Sequence, residues 1–263
     1  MPGPTPEDLE RLALLDSARS TEEDRRAEIA EYLGEPPPET PPASDYETDL
    51  TPLGDEELFR HLEQTARDGV IRNFLKSNRL REAAALVNAL GTHFAARDRR
   101  SVRVVDFGCG TSDHGLALAL AGFSVTVADI PSKVRFAAWR YRRRGLPVDA
   151  LEITAANWRR PPIGPADAIV CGEVLEHLRY PLETSQAFSE SLAPGGVLWV
   201  SAYPFREKRR GGSHLEEAYL ARGEVLRLMK RDYTRLRPEG MPGYLLLRRP
   251  PSALTRFLGL FAR

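Results

Sequence analysis

Four acidic and histidine side chains in the second half of the chain have the types and spacing of a metal site. Glu173, Glu176 and His177 stand at positions i, i+3 and i+4 in the segment ADAIVCGEVLEHLRYP. One helical turn would put them on one face, where two carboxylates repel each other unless they share a cation. Oxygen ligands combined with an imidazole nitrogen suit magnesium, manganese or zinc. His214, in the loop after a predicted strand, is expected to supply a fourth ligand.

The same residues allow two interpretations without a metal. The imidazole of His177 or His214 can act as a general base, because histidine exchanges its proton near neutral pH. All four side chains can instead have purely structural roles. The residues themselves leave the metal site, the histidine base and the structural role open.

A glycine turn near residue 108 forms the second candidate site. In the segment VRVVDFGCGTSDHGLALALAGFSVTVADI, a β-branched run ends at Asp106 and leads into Gly108 and Gly110. Glycines at this point let the backbone approach a ligand at the carboxyl end of a strand. A second run ends at Asp129, whose carboxylate can accept hydrogen bonds from ribose hydroxyls. The spacing therefore predicts a site for a cofactor that contains a nucleoside.

Two acidic residues beside this turn indicate which cofactor it holds. Dinucleotide-binding turns follow the pattern G-x-G-x-x-G, and Asp113 stands here in place of the third glycine. Its carboxylate would repel a pyrophosphate, whereas S-adenosylmethionine carries a sulfonium and an amino-acid tail and no phosphate. Asp106 also suits a ligand with an ammonium group. We therefore expect S-adenosylmethionine rather than a nicotinamide cofactor.

The string DFGCGT closely resembles motif I of the class I S-adenosylmethionine-dependent methyltransferases. One departure is Ser112, where the family often has a further glycine, and we expect slightly altered contacts there. The resemblance implies that the amino-acid portion of the donor is bound by Asp106, Gly108 and Gly110. It also implies that Asp129 binds the ribose and that Ile130 packs on the adenine.

The string E-V-L-E-H followed by a later histidine resembles two groups within that superfamily, the ubiquinone-biosynthesis O-methyltransferases and the small-RNA 3′-terminal 2′-O-methyltransferases. In both groups the set is associated with a divalent metal at the acceptor hydroxyl. The matching residues here are Glu173, Glu176, His177 and His214. Members without a metal also carry the string, and there its first glutamate helps to hold the cofactor, a role that would fall to Glu173.

The resemblance implies methyl transfer to an oxygen of a small molecule, such as a catechol-like or vicinal-diol acceptor. His177 and His214 are then the candidate catalytic residues. Methylation of an RNA 2′-hydroxyl is a second hypothesis, since the basic run FREKRRGG at residues 205–212 could bind an RNA end. A third hypothesis is a cofactor-binding scaffold whose N-terminal helices recruit a partner protein.

Strand-like and helix-like segments alternate from residue 102 onward. They predict an α/β fold with a Rossmann-like, doubly wound sheet, mostly parallel with an antiparallel closing strand, and an N-terminal helical extension. In such a sheet the carboxyl ends of the parallel strands share one edge, where the glycine turn and the E-x-x-E-H string are expected to meet. The predicted strands cover residues 102–106, 125–129, about 150–154, 168–171, 196–202, 233–237 and 244–248.

Four segments are expected along the chain. Residues 1–54 combine short helices with a proline-rich, extended connector, and residues 55–100 form further helices, broken near Gly69 and Ser77. These later helices either cover the mouth of the active site as a lid or only pack on the sheet. Residues 101–250 form the S-adenosylmethionine-binding domain. Residues 251–263 form an amphipathic tail that docks on its own domain or on a second subunit in a homodimer.

The composition limits the classes of partner and the cellular locations that we expect for the protein. Lysine plus arginine and aspartate plus glutamate each total 37 in 263 residues, so no net charge attracts a polyanion, and nucleic acid is disfavoured without being excluded. Two cysteines without a C-x-x-C pair support neither a disulfide scaffold nor a cysteine zinc site. No apolar run is long enough to span a membrane, and the N-terminus lacks the features of a secretion signal, so we expect a cytoplasmic protein.

The sequence does not assign a functional role to several further residues. Asn157 and Trp158 lie where the family often contacts adenine, but a turn residue and a packing tryptophan fit equally well. The basic run RRRG at residues 142–145 is expected to be a solvated face. His61 and His93 fall in predicted helices without nearby partners, which favours surface or packing roles.

Overall fold

The sheet and its helices are described by a computed structural model over residues 22–42, 50–76, 80–201, 203–205, 214–236 and 243–250. The strands are β1 (Arg103–Phe107), β2 (Ser124–Asp129), β3 (Asp149–Glu152), β4 (Ala166–Cys171), β5 (Leu192–Val200), β6 (Tyr233–Leu236) and β7 (Tyr244–Arg248). The α-helices are α1 (Glu22–Leu33), α2 (Asp55–Lys76), α3 (Leu80–His93), α4 (Asp113–Leu120), α5 (Pro131–Arg143), α6 (Pro181–Ser191) and α7 (Glu216–Asp232). Short 3₁₀ turns cover Arg99–Ser101 and Leu175–His177.

The seven strands form one mixed sheet in the order β3-β2-β1-β4-β5-β7-β6. Strands β1 to β5 pair in parallel, and β7 runs antiparallel to both β5 and β6. The predicted α/β fold with a mostly parallel, doubly wound sheet and an antiparallel closing pair is confirmed. The chain leaves β1 toward β2 on one side and later returns to β4 on the other. A crevice opens at such a switch point, outside the carboxyl ends of the strands, and ligands bind there in this class of sheet.

Two apolar layers hold helices against the two faces of the sheet. One layer joins α2, α6 and α7 to the strands through side chains such as Leu58, Phe188 and Met229. The other joins α3, α4 and α5 through side chains such as Leu86, Leu118 and Tyr141. Both faces are therefore covered, which explains why every residue of the central strand β4 is buried instead of alternate ones.

Two sequence predictions about element boundaries were wrong. Strand β5 begins at Leu192, not near residue 196, because its first residues pair with β4 across a register shift between Ala166 and Ala168. Helix α2 continues through Gly69 without a break, whereas the break predicted near Ser77 falls outside the described residues. A glycine costs a helix about 1 kcal/mol relative to alanine, and the buried neighbours Ala66 and Val70 offset that cost by packing.

The end of the proline-rich connector also differs from the extended, coreless segment that was expected. Leu50 is buried in the same apolar layer as Leu58, and the backbone oxygens of Thr51 and Leu53 accept hydrogen bonds from Arg179 at 3.2 and 2.7 Å. This stretch is therefore fixed on the sheet-bearing part of the chain. Residues 1–21, most of the basic run at 205–212 and the tail at 251–263 lie outside the described residues.

Among the described residues, no helix combines the length and the apolar character that crossing a membrane requires.

Candidate functional site

A cavity of about 380 Å³ lies at the carboxyl edge of the sheet, where the predicted site residues were expected to meet. Gly108, Gly110 and Asp129 line it from the ends of β1 and β2. His177 and His214 line it from the segments that follow β4 and β5. The crevice thus brings together two groups of residues that are far apart in the sequence.

Helix α2 forms a further wall of this cavity, with apolar side chains such as Leu58 and Phe59 and polar ones such as Thr65 and Asn73. Helix α3 packs on the sheet, where Leu86 and Leu90 are buried. Helix α2 packs on the sheet as well, through Leu58 and Phe59, so its action as a lid stays a prediction. His61 also lines the cavity from α2, although the sequence favoured a surface or packing role for it.

The two glycines of the turn differ in the space that a side chain would find there. Gly108 has φ +65°, and a β-carbon added there would lie 2.3 Å from Cγ2 of Val174. Gly110 has φ +54°, and a β-carbon there would meet nothing within 4 Å. Both conformations favour glycine, but only Gly110 faces open space. The turn therefore leaves bare backbone at Gly110 that a ligand can approach.

Asp129 fixes this turn from the end of β2. Its Oδ2 atom accepts a hydrogen bond from the backbone amide of Gly110 at 2.8 Å, and its Oδ1 atom accepts one from the amide of Ile130 at 2.8 Å. The Lys133 ammonium lies 3.8 Å from Oδ1. Each carboxylate oxygen has a second lone pair, so Asp129 can still accept hydrogen bonds from a ligand in the cavity.

Asp106 lies beneath the turn and is not among the residues that line the cavity. Its Oδ2 atom accepts hydrogen bonds from Ser112 Oγ at 2.7 Å and from the amide of Gly115 at 3.2 Å. Burial raises the pKa of Asp106, although His114 and these hydrogen bonds lower it in part. The geometry thus gives Asp106 a part in shaping the turn, and its contact with the donor stays a prediction.

Ser112 shows why a glycine is common at its position in the resembled family. It has φ +56°, a left-handed conformation that costs a residue with a side chain about 1 kcal/mol or more. The hydrogen bond from its hydroxyl to Asp106 offsets part of that cost. Serine therefore keeps the glycine-like backbone and adds a link to the strand below.

Asp113 does not present an uncompensated charge, which changes the argument made from it. Its Oδ1 atom accepts a hydrogen bond from Arg140 Nη1 at 2.8 Å, and the same nitrogen donates to the carbonyl oxygen of Thr111. Burial lowers the pKa of Arg140, but the charges of Asp113 and Glu28 outweigh it and raise the pKa, so the guanidinium stays charged. The expected repulsion of pyrophosphate by Asp113 is therefore weaker than its sequence position indicates.

The wall next to Asp129 contains three apolar side chains. Ile130, Ile153 and Trp158 all line the cavity there, and the Trp158 ring packs edge-on against Phe59 with centroids 4.8 Å apart. Asn157 serves the local turn instead, since its Oδ1 atom accepts a hydrogen bond from the amide of Thr154 at 2.9 Å. Of this adjacent pair, only the tryptophan reaches the cavity.

The candidate metal group consists of Glu176, His177 and His214. One ligand atom from each lies within 4.8 Å of the others, and the two imidazole rings have centroids 4.8 Å apart. The amide of Leu215 donates to the carbonyl oxygen of Glu176 at 3.2 Å, which ties the His214 segment to the 3₁₀ turn. An oxygen and two imidazole nitrogens at this separation are a donor set that zinc, manganese and related cations accept.

Glu173 is not part of this group. The helical turn predicted over residues 173–177 was wrong, because helical structure covers only Leu175–His177. Glu173 has φ +57° and its amide donates to Ser201 Oγ at 2.8 Å. Its exposed side chain lines the cavity at another point, so ligation of a shared cation by Glu173 stays a prediction.

The two cysteines offer no reactive thiol. Cys109 lies in the glycine turn and Cys171 at the end of β4, and both are buried. Burial raises the pKa of each thiol well above its ordinary value, with nearby carboxylates adding to the rise. Both thiols are therefore neutral near pH 7, and cysteine nucleophilic chemistry is not supported here.

Comparison with known proteins agrees with this arrangement. A family model described as a methyltransferase domain matches residues 74–237. The chain belongs to this methyltransferase family. The matched range contains the glycine turn, Asp129, Glu176 and both histidines of the cavity, so the resemblance to class I methyltransferases is confirmed at the level of the family.

Two relatives of this methyltransferase-family chain are ubiquinone biosynthesis O-methyltransferases. The one from Caulobacter sp. (strain K31) is 33% identical over 101 residues, which cover 38% of this chain and 40% of that protein. The one from Xylella fastidiosa (strain M23) is 36% identical over 100 residues, covering 38% and 41%. The chain thus spans about two fifths of the length of these curated relatives.

A solved structure has the same fold over most of the chain. An O-methyltransferase family protein from Burkholderia thailandensis superposes with a TM-score of 0.52 and 15% identity, covering 94% of this chain and 72% of that one. At that identity the likeness supports the fold alone.

Arg140 and Arg179 connect elements around the cavity without lining it, and sequence reasoning singled out neither of them. Arg179 joins the start of α2 to α7, since it lies 2.8 Å from both Asp55 and Glu217. Asp55 in turn accepts a hydrogen bond from Tyr180 at 3.0 Å. Only the position of Arg179 just after the E-x-x-E-H string could have signalled its role.

Proposed function

We propose that this protein transfers a methyl group from S-adenosylmethionine to a hydroxyl oxygen of a small molecule. The observation that carries the proposal is a single cavity bounded by Gly110 and Asp129 at one end and by His177 and His214 at the other. Methyl transfer needs donor carbon and acceptor oxygen within about 3–3.5 Å in line. One cavity with a nucleoside-type end and a proton-accepting end meets that requirement.

The residues around the glycine turn fit the donor. The cavity volume of about 380 Å³ falls in the range of small-molecule sites. A β-carbon at Gly110 would stand in open space, so the amino-acid portion of the donor can lie close to the backbone there. Asp129 would accept hydrogen bonds from the ribose hydroxyls, and the apolar wall at Ile130 and Trp158 suits the adenine.

The residues at the other end fit a divalent cation. Glu176, His177 and His214 would hold it, because their ligand atoms lie within 4.8 Å of one another and combine oxygen with nitrogen. A divalent cation bound there would polarise the acceptor oxygen as a Lewis acid and favour its deprotonation. Two of the three ligands are imidazoles, which favours zinc over magnesium or manganese.

The chain's own residues prepare the acceptor in two ways. Leu58, Phe59 and Leu62 of α2 line the cavity and would exclude water around a bound acceptor, which would strengthen polar interactions there. Where no cation is held, a ring nitrogen of His177 or His214 would accept the proton of the attacking hydroxyl. Both routes put the reacting acceptor atom next to the histidine pair; only the cation route specifically favours oxygen, and the base route also admits a nitrogen acceptor.

The test is a methyl-transfer assay with labelled S-adenosylmethionine, comparing catechol with phenol as a matched acceptor that has one oxygen. Metal-assisted transfer predicts that catechol is methylated faster than phenol and that a chelator abolishes the difference. Transfer that resists both chelation and Glu176→Gln would support the histidine base instead. Transfer of label to a short RNA, with none to catechol or phenol, would support the hypothesis of RNA methylation instead. Donor binding without transfer to any acceptor, together with a partner recovered in pull-downs, would favour the scaffold hypothesis.

A further inference from the structure

We propose that the N-terminal helix α1 is part of the donor site, because Glu28 on α1 positions Arg140, which holds the end of the glycine turn. This inference rests on the proposed binding of S-adenosylmethionine. It assigns to Glu28 and Arg140 a positioning role, since neither lines the cavity.

Arg140 is a buried cation that connects three parts of the structure. Its side chain, on α5, is 8% exposed. One nitrogen donates to both the Thr111 carbonyl oxygen and the Asp113 carboxylate, the latter at 2.8 Å, while Nε donates to Glu28 Oε1 at 3.2 Å. The guanidinium also lies over the ring of Phe74 in α2, 4.7 Å from its centroid. Arg140 therefore fixes residues that line the cavity from behind.

Glu28 is a buried anion with its own pair of cations. Its side chain is 7% exposed, and Arg144 donates to both carboxylate oxygens at 2.8 Å. Burial works to raise the pKa of Glu28, but hydrogen bonds and charges from Arg144 and Arg140 outweigh it and lower the pKa. The basic run at residues 142–145 was predicted to be a solvated face. Arg144, within that run, instead pairs with α1.

The charges of this cluster balance only when α1 is docked. Arg140 and Arg144 supply two positive charges, and Glu28 and Asp113 supply two negative charges. Removing the Glu28 charge would leave two buried guanidinium groups facing one carboxylate, which is costly in a dry environment. Arg140 would then reorient, and Thr111 and Asp113 would lose the contact that fixes them against the cavity.

Helix α1 offers a matched control on the same two helices. Glu31 Oε2 pairs with Arg143 Nε at 2.8 Å, but both side chains are substantially exposed, at 52% and 39%. That pair joins α1 to α5 without contacting the glycine turn. Substituting either Glu28 or Glu31 leaves the apolar contacts of Ile29 with α2 and α5 side chains in place.

The experiment is calorimetric titration of S-adenosylmethionine into the wild type, Glu28→Gln and Glu31→Gln at a temperature where thermal melts show all three folded. We expect Glu28→Gln to weaken donor binding about tenfold, within the usual range of coupling between sites, and Glu31→Gln to stay within twofold of the wild type. In steady-state assays Glu28→Gln should raise the KM for the donor and leave kcat nearly unchanged. Equal donor affinity of the two variants would overturn the inference. An absence of donor binding by the wild type would instead contradict the proposed function.

A second measurement covers the case in which Glu28→Gln does not fold. Because coupling between two sites is reciprocal, donor binding to the wild type should slow hydrogen exchange of the α1 amides as well as those at residues 111–113. Protection at the turn with no change in α1 would overturn the inference. Slower exchange in both segments would support it.

Discussion

Gly108 in the glycine turn lies directly against Val174 in the segment between β4 and the histidines. A β-carbon added at Gly108 would stand 2.3 Å from Cγ2 and 2.6 Å from Cγ1 of Val174. The backbone of Gly108 is also in the left-handed region, at φ +65°. The glycine turn and the segment that leads to Glu176 and His177 therefore lie against each other at this pair, and a side chain at position 108 would displace Val174.

Gly108→Ala should destabilise the protein more than Gly145→Ala does. Both glycines have φ +65°, but a β-carbon at Gly145 would meet nothing within 4 Å. The left-handed backbone alone costs alanine about 1–2 kcal/mol, and overpacking against Val174 adds about 1–3 kcal/mol. Urea unfolding measures the difference. Equal losses for the two variants would contradict the contact between Gly108 and Val174.

Arg179→Ala should destabilise the protein by about 3 kcal/mol, because it removes a largely buried cation that two carboxylates and two backbone oxygens contact. Arg160→Ala is the control, since Arg160 and Glu190 form an ion pair in which both side chains are mostly exposed. Such a pair contributes about 0–1 kcal/mol. Chemical denaturation compares the two, and a similar small loss for both would show that Arg179 does not anchor α2.

Asp167 should make stability depend on pH in the acidic range. Burial raises its pKa, but hydrogen bonds from Arg97 and from the amide of Arg103 outweigh burial and hold the pKa below the ordinary 3.8. A lowered pKa in the folded state stabilises the protein above pH 3.8, and this contribution is lost as the pH falls through the folded value.

Asp167→Asn should therefore lower the unfolding free energy by about 1 kcal/mol at pH 7 and by progressively less below pH 4. The exposed carboxylate of Asp149 on β3 provides the control variant Asp149→Asn. Thermal melts from pH 3 to pH 7 give the comparison. A constant deficit for Asp167→Asn across that range would contradict the pairing with Arg97.

Metal content should depend on the cavity histidines. Wild-type protein prepared without chelators is expected to retain about one divalent cation per chain, and Glu176→Gln or His214→Ala should weaken its affinity at least tenfold. His93→Ala is the control, because His93 contacts the carbonyl oxygen of Gly195 at 2.9 Å and is exposed. Elemental analysis after dialysis measures retention, and a cation kept equally by His214→Ala would remove His214 from the set.

Much of the fold and the position of the glycine turn at the cavity could be predicted from the sequence because their signals are local. Apolar runs ending at Asp106 and Asp129 define strands whose carboxyl ends share one edge, and Gly108 and Gly110 indicate a backbone turn between them. His177 and His214 follow different strands at that same edge, so their approach to 4.8 Å between ring centroids follows from the topology.

The remaining features depend on contacts that leave no local pattern. Glu28 and Arg140 are 112 residues apart in the sequence, and nothing in the composition of either segment pairs them. Glu173 departs from its predicted helical position because the backbone there is left-handed, which a three- and four-residue spacing cannot reveal. Asp106 was expected to face the donor, but its bonds to Ser112 and Gly115 form only once the turn is folded.

Binding of S-adenosylmethionine is the central claim, and calorimetric titration of the wild type, Asp129→Ala and Asp149→Ala tests it most directly. Asp129 lines the cavity, whereas Asp149 is an exposed acid on the neighbouring strand. We predict one donor bound per chain in the wild type and in Asp149→Ala, and affinity at least tenfold weaker in Asp129→Ala, about 1.4 kcal/mol. No binding to the wild type, or equal binding to all three proteins, would contradict the account.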